Sequence, residues 1–350
     1  MTRVLIAGAG VAGLATRIAL AARGIHADLA ERDPAPRDGG TGLYLPANAV
    51  RALGDLGLGE QLAKLSVPIE RQEIRDRTGD LLTAYGLDEV WGEVGESRAV
   101  SRSALHGMLL DAAGPPTFPG NAVRLARPDG TVVFEDGTRA AYDVVVGADG
   151  IESAVRRGVF PSTAPRFLGQ ICWRFLFEGP VSATWSVLLG DRGRSLLTVP
   201  VGDGQVYCFA AIDSEVPAAA PGDWRELFAD FATDVLRHGE DAHFAPLYEI
   251  EGSDWAEGKV VLVGDAAHAC SPSMAQGGAM ALEDALVLAE ELGDLGRYRA
   301  RRAPRVRFVL EQNHRRDNAR NLPGVLRRFL FRRLGLRLVR ANHAELLARP

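Results

Sequence analysis

The sequence predicts an α/β fold in which a parallel sheet is interrupted by a mainly β insertion and followed by a C-terminal helix. Residues 8–13, 147–156 and 264–278 each begin where a short apolar run ends, and each leads into a helix-like stretch. A buried strand, a glycine turn and a helix form the repeating unit of open parallel sheets. Between the second and third segments, short apolar runs separated by glycine, proline and aspartate turns predict the β insertion.

A G-x-G-x-x-G turn follows the first apolar run. Gly8 makes the tight turn, Gly10 lets a pyrophosphate approach the backbone, and Gly13 lets the helix pack closely on the strand. The N–H groups at the start of the helix then meet the phosphates. This turn predicts a Rossmann-like dinucleotide site but does not separate NAD from FAD. The residues expected near the phosphates are Gly8, Gly10, Val11, Ala12 and Gly13.

Glu31 ends the next apolar run, 18 residues past Gly13. Its carboxylate can accept hydrogen bonds from both ribose hydroxyls and would repel a 2′-phosphate. Arg32, the next residue, is a further candidate contact for the dinucleotide.

Two later segments repeat the pattern of an apolar strand followed by a turn that contains an aspartate. Asp149 and Gly150 follow the run at 143–147, and Gly264 and Asp265 follow the run at 259–263. Ligands of open parallel sheets bind just beyond the carboxyl ends of the strands, so both aspartates are candidate cofactor contacts. Asp149 is equally compatible with a turn that caps its own backbone and touches no ligand.

Taken together, these segments resemble the class A flavoprotein monooxygenases, the p-hydroxybenzoate hydroxylase-like family. The resemblance runs from residue 2 to about residue 322, and it includes weaker matches at 42–58 and 101–105. It implies a tightly bound FAD, transient NADH or NADPH, and O2 as co-substrate. The implied reaction is hydroxylation of an aromatic or polyketide-like small molecule through a C4a-hydroperoxyflavin.

The resemblance also implies roles for single residues. Arg102 would reach the FAD phosphates or ribityl oxygens, although a surface arginine at a helix start is an alternative interpretation. Asp265 would bind the ribityl chain, and Pro272 would face the flavin ring. Gly277 and Gly278 would let a helix N-terminus approach the flavin N1–C2 carbonyl and stabilise negative charge on the reduced ring.

The substrate side is less clearly marked. Arg174 and Arg194 are candidate anchors for an acidic or phenolate substrate, and Tyr207 is a candidate acid–base partner. Exposed salt bridges would explain either arginine as well. Alternating aromatic residues predict one aromatic face of the insertion, from which Trp173 is a candidate substrate contact. Candidate catalytic residues are Arg194, Tyr207 and Pro272; the aromatic face comprises Trp173, Phe175, Phe177, Trp185, Tyr207 and Phe209.

The predicted organisation is discontinuous, as expected for a chain of 350 residues that carries an insertion. The segments assigned to an FAD-binding domain are 1–66, 98–164 and 256–323; those assigned to a substrate domain are 67–97 and 165–255; residues 324–350 form a basic C-terminal helix.

Charge and cysteine content narrow the class of protein further. Residues 297–340 hold 15 arginines against Glu311 and Asp317, fifteen minus two, or +13, although the whole chain carries −5. A peripheral membrane contact is one interpretation, but packing of this helix on an acidic FAD-binding domain is favoured. Arginine replaces lysine throughout the chain, so its abundance does not indicate a nucleic-acid partner.

Three cysteines without C-x-x-C spacing argue for the reducing cytoplasm and against disulfides or a metal site. No apolar run is long enough to predict a membrane span. Two alternative classes stay open: a related flavoenzyme such as a reductase or oxidase, and a flavin-binding protein without catalytic activity. Intact site glycines argue against the second alternative.

Overall fold

The computed structural model describes residues 2–35, 41–180, 182–219, 222–252, 254–320 and 322–350. The strands are β1 Val4–Ala7, β2 Ala27–Glu31, β3 Gly42–Leu45, β4 Val67–Ile69, β5 Arg71–Asp76, β6 Leu81–Gly86, β7 Ser97–Ser101, β8 Phe118–Pro119, β9 Val123–Ala126, β10 Thr131–Phe134, β11 Arg139–Ala141, β12 Val144–Gly147, β13 Pro165–Glu178, β14 Thr184–Leu189, β15 Ser195–Gly202, β16 Gln205–Asp213, β17 His243–Ile250, β18 Ala256–Glu257 and β19 Val260–Leu262. The helices are α1 Val11–Ala21, α2 Ala47–Asp55, α3 Gly59–Leu65, α4 Asp88–Trp91, α5 Arg102–Ala113, α6 Ala154–Val159, α7 Asp265–His268, α8 Gly277–Glu290, α9 Leu295–Arg320 and α10 Gly324–His343. Single 3-10 turns lie at Gly92–Val94, Trp224–Phe228, Val235–His238, Pro272–Met274 and Ala344–Leu346.

A six-stranded sheet, in the order β18-β19-β12-β1-β2-β8, brings the three glycine-containing segments together. Its strands run parallel except β18. Strands β1, β12 and β19 are buried along their whole length, as expected for a parallel sheet covered on both faces. Ala148 N donates to Ala7 O at 2.8 Å, and Val263 N donates to Gly147 O at 3.0 Å. The carboxyl ends of the three strands are therefore direct neighbours, and the predicted α/β fold class is confirmed.

The inserted residues form a seven-stranded sheet in the order β17-β13-β16-β15-β14-β5-β6. It is antiparallel except for the pair β14 and β5. Strands β5 and β6 form a hairpin, and the segment that begins at Trp224 forms two 3-10 turns. The small antiparallel sheet β9–β11 carries no clear sequence signal and was not predicted.

The prediction of a single aromatic face on this sheet is wrong, because the aromatic side chains divide between both faces. Tyr207 and Phe209 lie on one face, here called the inner face, which shares a core with Met274. Trp173 and Phe175 lie on the opposite, outer face, where the 3-10 turns cover them. Side chains alternate along a strand, so the parity of each residue decides its face, and β13 and β16 are paired with opposite parity.

Helix α10 packs on the rest of the chain, as the favoured interpretation expects, but its main contacts are with the segment 67–97 assigned to the substrate domain and not with the FAD-binding domain. It lies against β6 and α4. Gly335 is the point of closest contact, since a Cβ built there would lie 2.6 Å from Thr83 Oγ1. The outer side of the helix exposes Val325 and Phe329. In the described part of the chain, no helix combines the length and apolar character needed to cross a membrane.

His343, at the end of α10, predicts a loss of stability in weak acid. Its ring is buried against Trp91, and Nδ1 lies 2.7 Å from Val339 O. Burial, with the Arg316 charge, lowers the pKa of His343 from 6.5 to about 4. Between these two values the unfolded chain takes up a proton that the folded chain does not, so stability falls as the pH falls. Because of this histidine, we expect the free energy of unfolding to fall by about 2 kcal/mol between pH 7.5 and pH 5.

Urea denaturation of wild type and His343→Asn at both pH values measures this cost as the difference between the two pH dependences. An unchanged pH dependence in the variant would contradict the assignment.

Candidate active site

The glycine turn after β1 is built for close packing on one side and for open space on the other. A Cβ on Gly13 would lie 1.8 Å from Gly8 O, and one on Gly8, whose φ is +104°, would lie 2.5 Å from Ala148 O. Gly10 differs: no heavy atom of the described residues lies within 4 Å of a Cβ built there. Gly10 precedes α1, and no side chain among the described residues caps this helix. The start of α1, including Val11 and Ala12, is therefore accessible to an anion.

Glu31 and Arg32 lie beside this turn at the end of β2. Glu31 Oε2 accepts a hydrogen bond from Ala9 N at 2.6 Å, and Oε1 accepts one from Asp33 N at 2.9 Å. The carboxylate therefore helps to hold the glycine turn itself. The Arg32 side chain is exposed. Their contacts with a dinucleotide stay predictions.

Asp149 caps the helix that follows it. Its Oδ2 accepts hydrogen bonds from Ala154 N at 2.7 Å and Val155 N at 3.2 Å, and Oδ1 accepts one from the Ser153 hydroxyl. Burial raises the pKa of Asp149, and these hydrogen bonds oppose that effect. Asp149 therefore caps its own turn, as the alternative interpretation predicts. A cofactor contact for Asp149 and Gly150 stays a prediction.

The third segment lies directly against the first. Gly264 has a φ of +57°, and a Cβ built on it would lie 2.8 Å from Ala12 Cβ in α1. The following Asp265 is exposed at the start of α7. A Cβ built on Gly277 would lie 3.9 Å from Asp265 Oδ1, so the carboxylate stands beside the N-terminus of α8. Gly278 is half-buried there, and no described side chain caps α8.

Pro272 and Arg102 border the same opening. Pro272 is exposed and begins the 3-10 turn that leads into α8. Arg102 is exposed at the first residue of α5. Its charge is near enough to lower the pKa of Tyr207, so the start of α5 lies close to the inner face of the large sheet.

This arrangement fits FAD. The uncapped start of α1, with the open space at Gly10, can receive a pyrophosphate, and the uncapped start of α8 can stabilise a negatively charged flavin ring. The exposed carboxylate of Asp265 lies beside the start of α8, where it can accept hydrogen bonds from ribityl hydroxyls. A Cβ built on Gly264 would lie 2.8 Å from Ala12 Cβ in α1 and 3.3 Å from Ala281 Cβ in α8, so the starts of both helices lie beside the same turn and belong to one continuous site.

Arg174 and Tyr207 lie on the inner face of the large sheet. Arg174 is paired in register with Phe209, which places both side chains on that face. Arg174 Nε is buried, and within the described residues it has no hydrogen-bond partner. Tyr207 packs on β3, since a Cβ on Gly42 would lie 2.4 Å from the Tyr207 Cβ. Burial raises the pKa of Tyr207, so the phenol keeps its proton at neutral pH.

Trp173 and Arg194 lie elsewhere. Trp173 stacks on Trp224 in the outer-face core, with ring centroids 5.1 Å apart. Arg194 donates to Asp230 Oδ1 at 2.6 Å and to Leu227 O at 2.8 Å. The contacts of Arg194 with Asp230 and Leu227 lie at one end of β15, and the packing on β3 lies at the other end. These contacts support the salt-bridge interpretation of Arg194 and give no support to either residue as a substrate contact.

Sequence reasoning missed Arg316, a second inward-facing cation. Arg316 extends from α9, and its Nη1 lies 3.2 Å from Met274 Sδ. Among the described residues, no carboxylate forms an ion pair with it. Burial lowers the pKa of Arg316, and the neighbouring Tyr85 and Asp317 raise it. Nothing in the arginine-rich run at 297–340 distinguishes Arg316 from its neighbours, because only the path of α9 turns this residue inward.

Sequence reasoning also missed a buried polar cluster beneath the site. Its signal was the acidic pair Glu283 and Asp284 inside an otherwise apolar helix. Asp284 Oδ2 accepts from Gly264 N at 2.8 Å and lies 2.6 Å from His268 Nε2. His268 is therefore a buried structural partner of Asp284. The remaining members of the cluster are Asn48, Gln276, Arg302 and Arg305.

Two uncapped helix ends and an acidic turn at the carboxyl edge of a parallel sheet define a dinucleotide-binding flavoprotein. A family model described as "FAD binding domain" matches residues 1–119 and 128–305, and the chain belongs to this family. The match and the curated relatives confirm the resemblance to the class A monooxygenases, and the chain is an FAD-dependent oxidoreductase of that class.

Individual relatives cover nearly the whole chain. The chain is 33% identical over 357 residues to 3-amino-4-hydroxybenzoate 2-monooxygenase PtnB3 of Streptomyces platensis, covering 92% of this chain and 89% of the relative. It is 30% identical over 342 residues to 2-heptyl-3-hydroxy-4(1H)-quinolone synthase of Pseudomonas aeruginosa, covering 89% and 87%. The structure of Klebsiella pneumoniae HpxO complexed with FAD and uric acid superposes with a TM-score of 0.83 at 27% identity, covering 99% and 95%.

Proposed function

We propose that this enzyme uses NAD(P)H and O2 to hydroxylate a small aromatic compound that carries an acidic or phenolate oxygen. The observation that carries the proposal is the pair of inward-facing arginines, Arg174 and Arg316, for which the described residues provide no carboxylate partner. Both side chains are half-buried, and a partly desolvated cation without a counterion is costly, so an anionic ligand would offset that cost. The relatives named above act on, or are bound to, aromatic compounds, which supports the same substrate class.

One group of residues would hold the cofactor, and a second group would orient the substrate. When bound, the flavin supplies the redox and oxygen chemistry. The starts of α1 and α8 and the Asp265 carboxylate would hold the cofactor, together with Arg102 and Pro272 at its border. Across the cleft, Arg174 and Arg316 would orient the substrate through its oxygen.

Aromatic side chains close the substrate side. Tyr44 and Trp185 lie with ring centroids 4.4 Å apart, and both are partly buried against the core of the inner face. They offer a flat apolar contact to an aromatic ring and would help to exclude water. Tyr207, protonated at neutral pH, would donate a hydrogen bond to a substrate oxygen.

The free thiols of Cys172, Cys208 and Cys270 are consistent with a protein that acts in the reducing cytoplasm.

Anaerobic stopped-flow reduction of the holoenzyme tests the proposal. NADH and NADPH are mixed with enzyme in the presence of phenols, aromatic acids or N-heteroaromatic compounds, and flavin absorbance is followed. We expect one compound class to accelerate bleaching by about tenfold or more, which corresponds to ~1.4 kcal/mol of barrier. If neither nicotinamide bleaches the flavin with any compound, the hydroxylase assignment fails in favour of an oxidase or a partner-reduced enzyme.

Variants of the two arginines then test how the substrate is held. We expect Arg316→Met and Arg174→Met each to raise the apparent Kd of an anionic accelerating compound by roughly 10–100-fold, because a charge-assisted hydrogen bond is lost. FAD binding should be unchanged. Arg315→Met is the matched control, since Arg315 is an exposed neighbour on the same helix. Equal Kd values in all four proteins would contradict a role for these arginines in binding substrate.

A further inference from the structure

The start of α8 rests on a buried side-chain cluster that neither the family match nor the proposed reaction assigns to a role. The amide of Gln276, the residue before α8, pairs reciprocally with the amide of Asn48 on α2. Asn48 Nδ2 donates to Gln276 Oε1 at 2.9 Å, and Gln276 Nε2 donates to Asn48 Oδ1 at 3.2 Å. Both side chains are buried. Gln276 stands where a side chain could cap the helix, but its amide turns inward, away from the first N–H groups of α8.

The amide pair is itself held by charge. Glu283 Oε1 accepts a hydrogen bond from Asn48 Nδ2 at 3.0 Å. The same carboxylate accepts from Arg302 at 2.9 Å and from Arg305 at 2.7 Å. Glu283 lies on α8, Asn48 on α2, and the arginines on α9, so three helices meet at this carboxylate. Because every group here is buried, a shift of one partner would leave an unpaired polar atom away from water.

The cluster extends to the end of the chain. The Arg305 guanidinium donates to the carbonyl oxygens of Glu345 at 2.8 Å, Leu346 at 3.1 Å and Ala348 at 3.0 Å. These carbonyl oxygens hold the Arg305 guanidinium in place, and Arg305 in turn holds the Glu283 carboxylate. A continuous series of hydrogen bonds therefore runs from the C-terminal residues to the start of α8.

We propose that the Asn48–Gln276 pair, held by Glu283 and Arg305, positions the N-terminus of α8 against the bound flavin and thereby sets its reduction potential. Asn48 and Gln276 are positioning residues, and residues 345–348 form the distal end of the same series of hydrogen bonds. A helix N-terminus stabilises negative charge only over its first turn, so a small displacement of α8 weakens its effect on the reduced ring. The proposal rests on the FAD site of the family and does not depend on the substrate class proposed above.

The test compares FAD affinity and flavin midpoint potential in Asn48→Ala, Gln276→Ala and the double variant, with holoenzyme throughout. We expect both single variants to shift the potential to more negative values and to weaken FAD binding, Gln276→Ala by about tenfold and Asn48→Ala by more, because Asn48 also donates to Glu283. The double variant should match Asn48→Ala, because that change alone breaks both bonds of the amide pair and the bond to Glu283. Measured potentials equal to wild type in both single variants would overturn the proposal, even if the variants are less stable.

A second pair of proteins keeps the test independent of the amide variants. Truncation after residue 344 frees Arg305 and should shift the potential in the same direction by a smaller amount. Arg301→Gln is the control: Arg301 lies on the same helix and donates to Glu290, Glu291 and Pro350 O, but it does not touch Glu283. An equal shift in the control would show that the C-terminal contacts act through general stability, and would contradict the proposal. A wild-type protein that binds no FAD would instead contradict the cofactor site itself.

Discussion

A Gly13→Ala variant is expected to lose stability without any ligand present, whereas Gly10→Ala is expected to fold normally and lose FAD. The added methyl at Gly13 would lie 1.8 Å from Gly8 O, a backbone atom that has no room to move. We expect a cost of about 3 kcal/mol or more in the free energy of unfolding. The methyl at Gly10 meets no described atom within 4 Å and would occupy the space that the pyrophosphate needs. We expect FAD affinity to fall about 100-fold, or ~2.7 kcal/mol.

Urea denaturation of the apoproteins and FAD titration of each variant separate the two effects. Gly24→Ala is unsuitable as a control because Gly24 has a φ of +71°. Gly107→Ala suits better, since Gly107 lies in helix α5 with open space around it. Equal FAD affinity in Gly10→Ala and wild type would show that the pyrophosphate does not approach this turn.

Replacement of Asp284 by asparagine is expected to destabilise the enzyme by about 3–5 kcal/mol, the usual cost of removing one partner of a buried ion pair. Asp284 Oδ1 accepts from Arg302 Nε at 2.7 Å, and Oδ2 serves both Gly264 N and His268. The variant would leave Arg302 without one of its two buried carboxylate partners. The same change should loosen the turn that carries Asp265, so FAD affinity should fall with stability.

The pH dependence of this effect has a definite sign. Burial raises the pKa of Asp284, but the charges of His268 and Arg302 together with the hydrogen bonds outweigh it and hold the pKa well below its usual range. The stabilisation is therefore present above the unfolded pKa near 4 and is lost as the pH falls below it. The stability gap between wild type and Asp284→Asn should narrow in acid. Glu290→Gln is the control on the same helix, because the exposed ion pairs of Glu290 contribute at most about 1 kcal/mol.

The cofactor half of the site was predictable because its signals are local. Each of the three glycine-containing segments is read from a run of neighbouring residues, and each one predicts a strand, a turn and a helix start. The apolar composition of 144–146 and 260–263 also predicts buried parallel strands, and adjacent parallel strands place their carboxyl ends at the same edge of a sheet. Apolar runs also predicted β14, β15 and β16 of the insertion, but β13 begins six residues before its predicted start and β17 was not predicted.

The substrate half was not predictable because it depends on strand register and on contacts between distant residues. A shift of one residue moves a side chain to the other face of a sheet, and this is why Trp173 was assigned to the wrong side. Arg194 and Arg174 have the same sequence signal. Only the fold pairs one with Asp230 and leaves the Nε of the other buried without a described partner. Arg316 had no signal at all.

The sequence by itself determined the α/β class, the three glycine-containing turns at the carboxyl edge of the parallel sheet and the order in which they occur. Local backbone geometry decides these features, since glycine, apolar runs and acidic turns act on their immediate neighbours. The tertiary structure alone decided that Arg174 and Arg316 have no carboxylate partner among the described residues, and that Asn48, Glu283 and the C-terminal carbonyls meet beneath α8. These contacts join residues more than 200 positions apart or on separate helices, and no local pattern encodes the packing that brings them together.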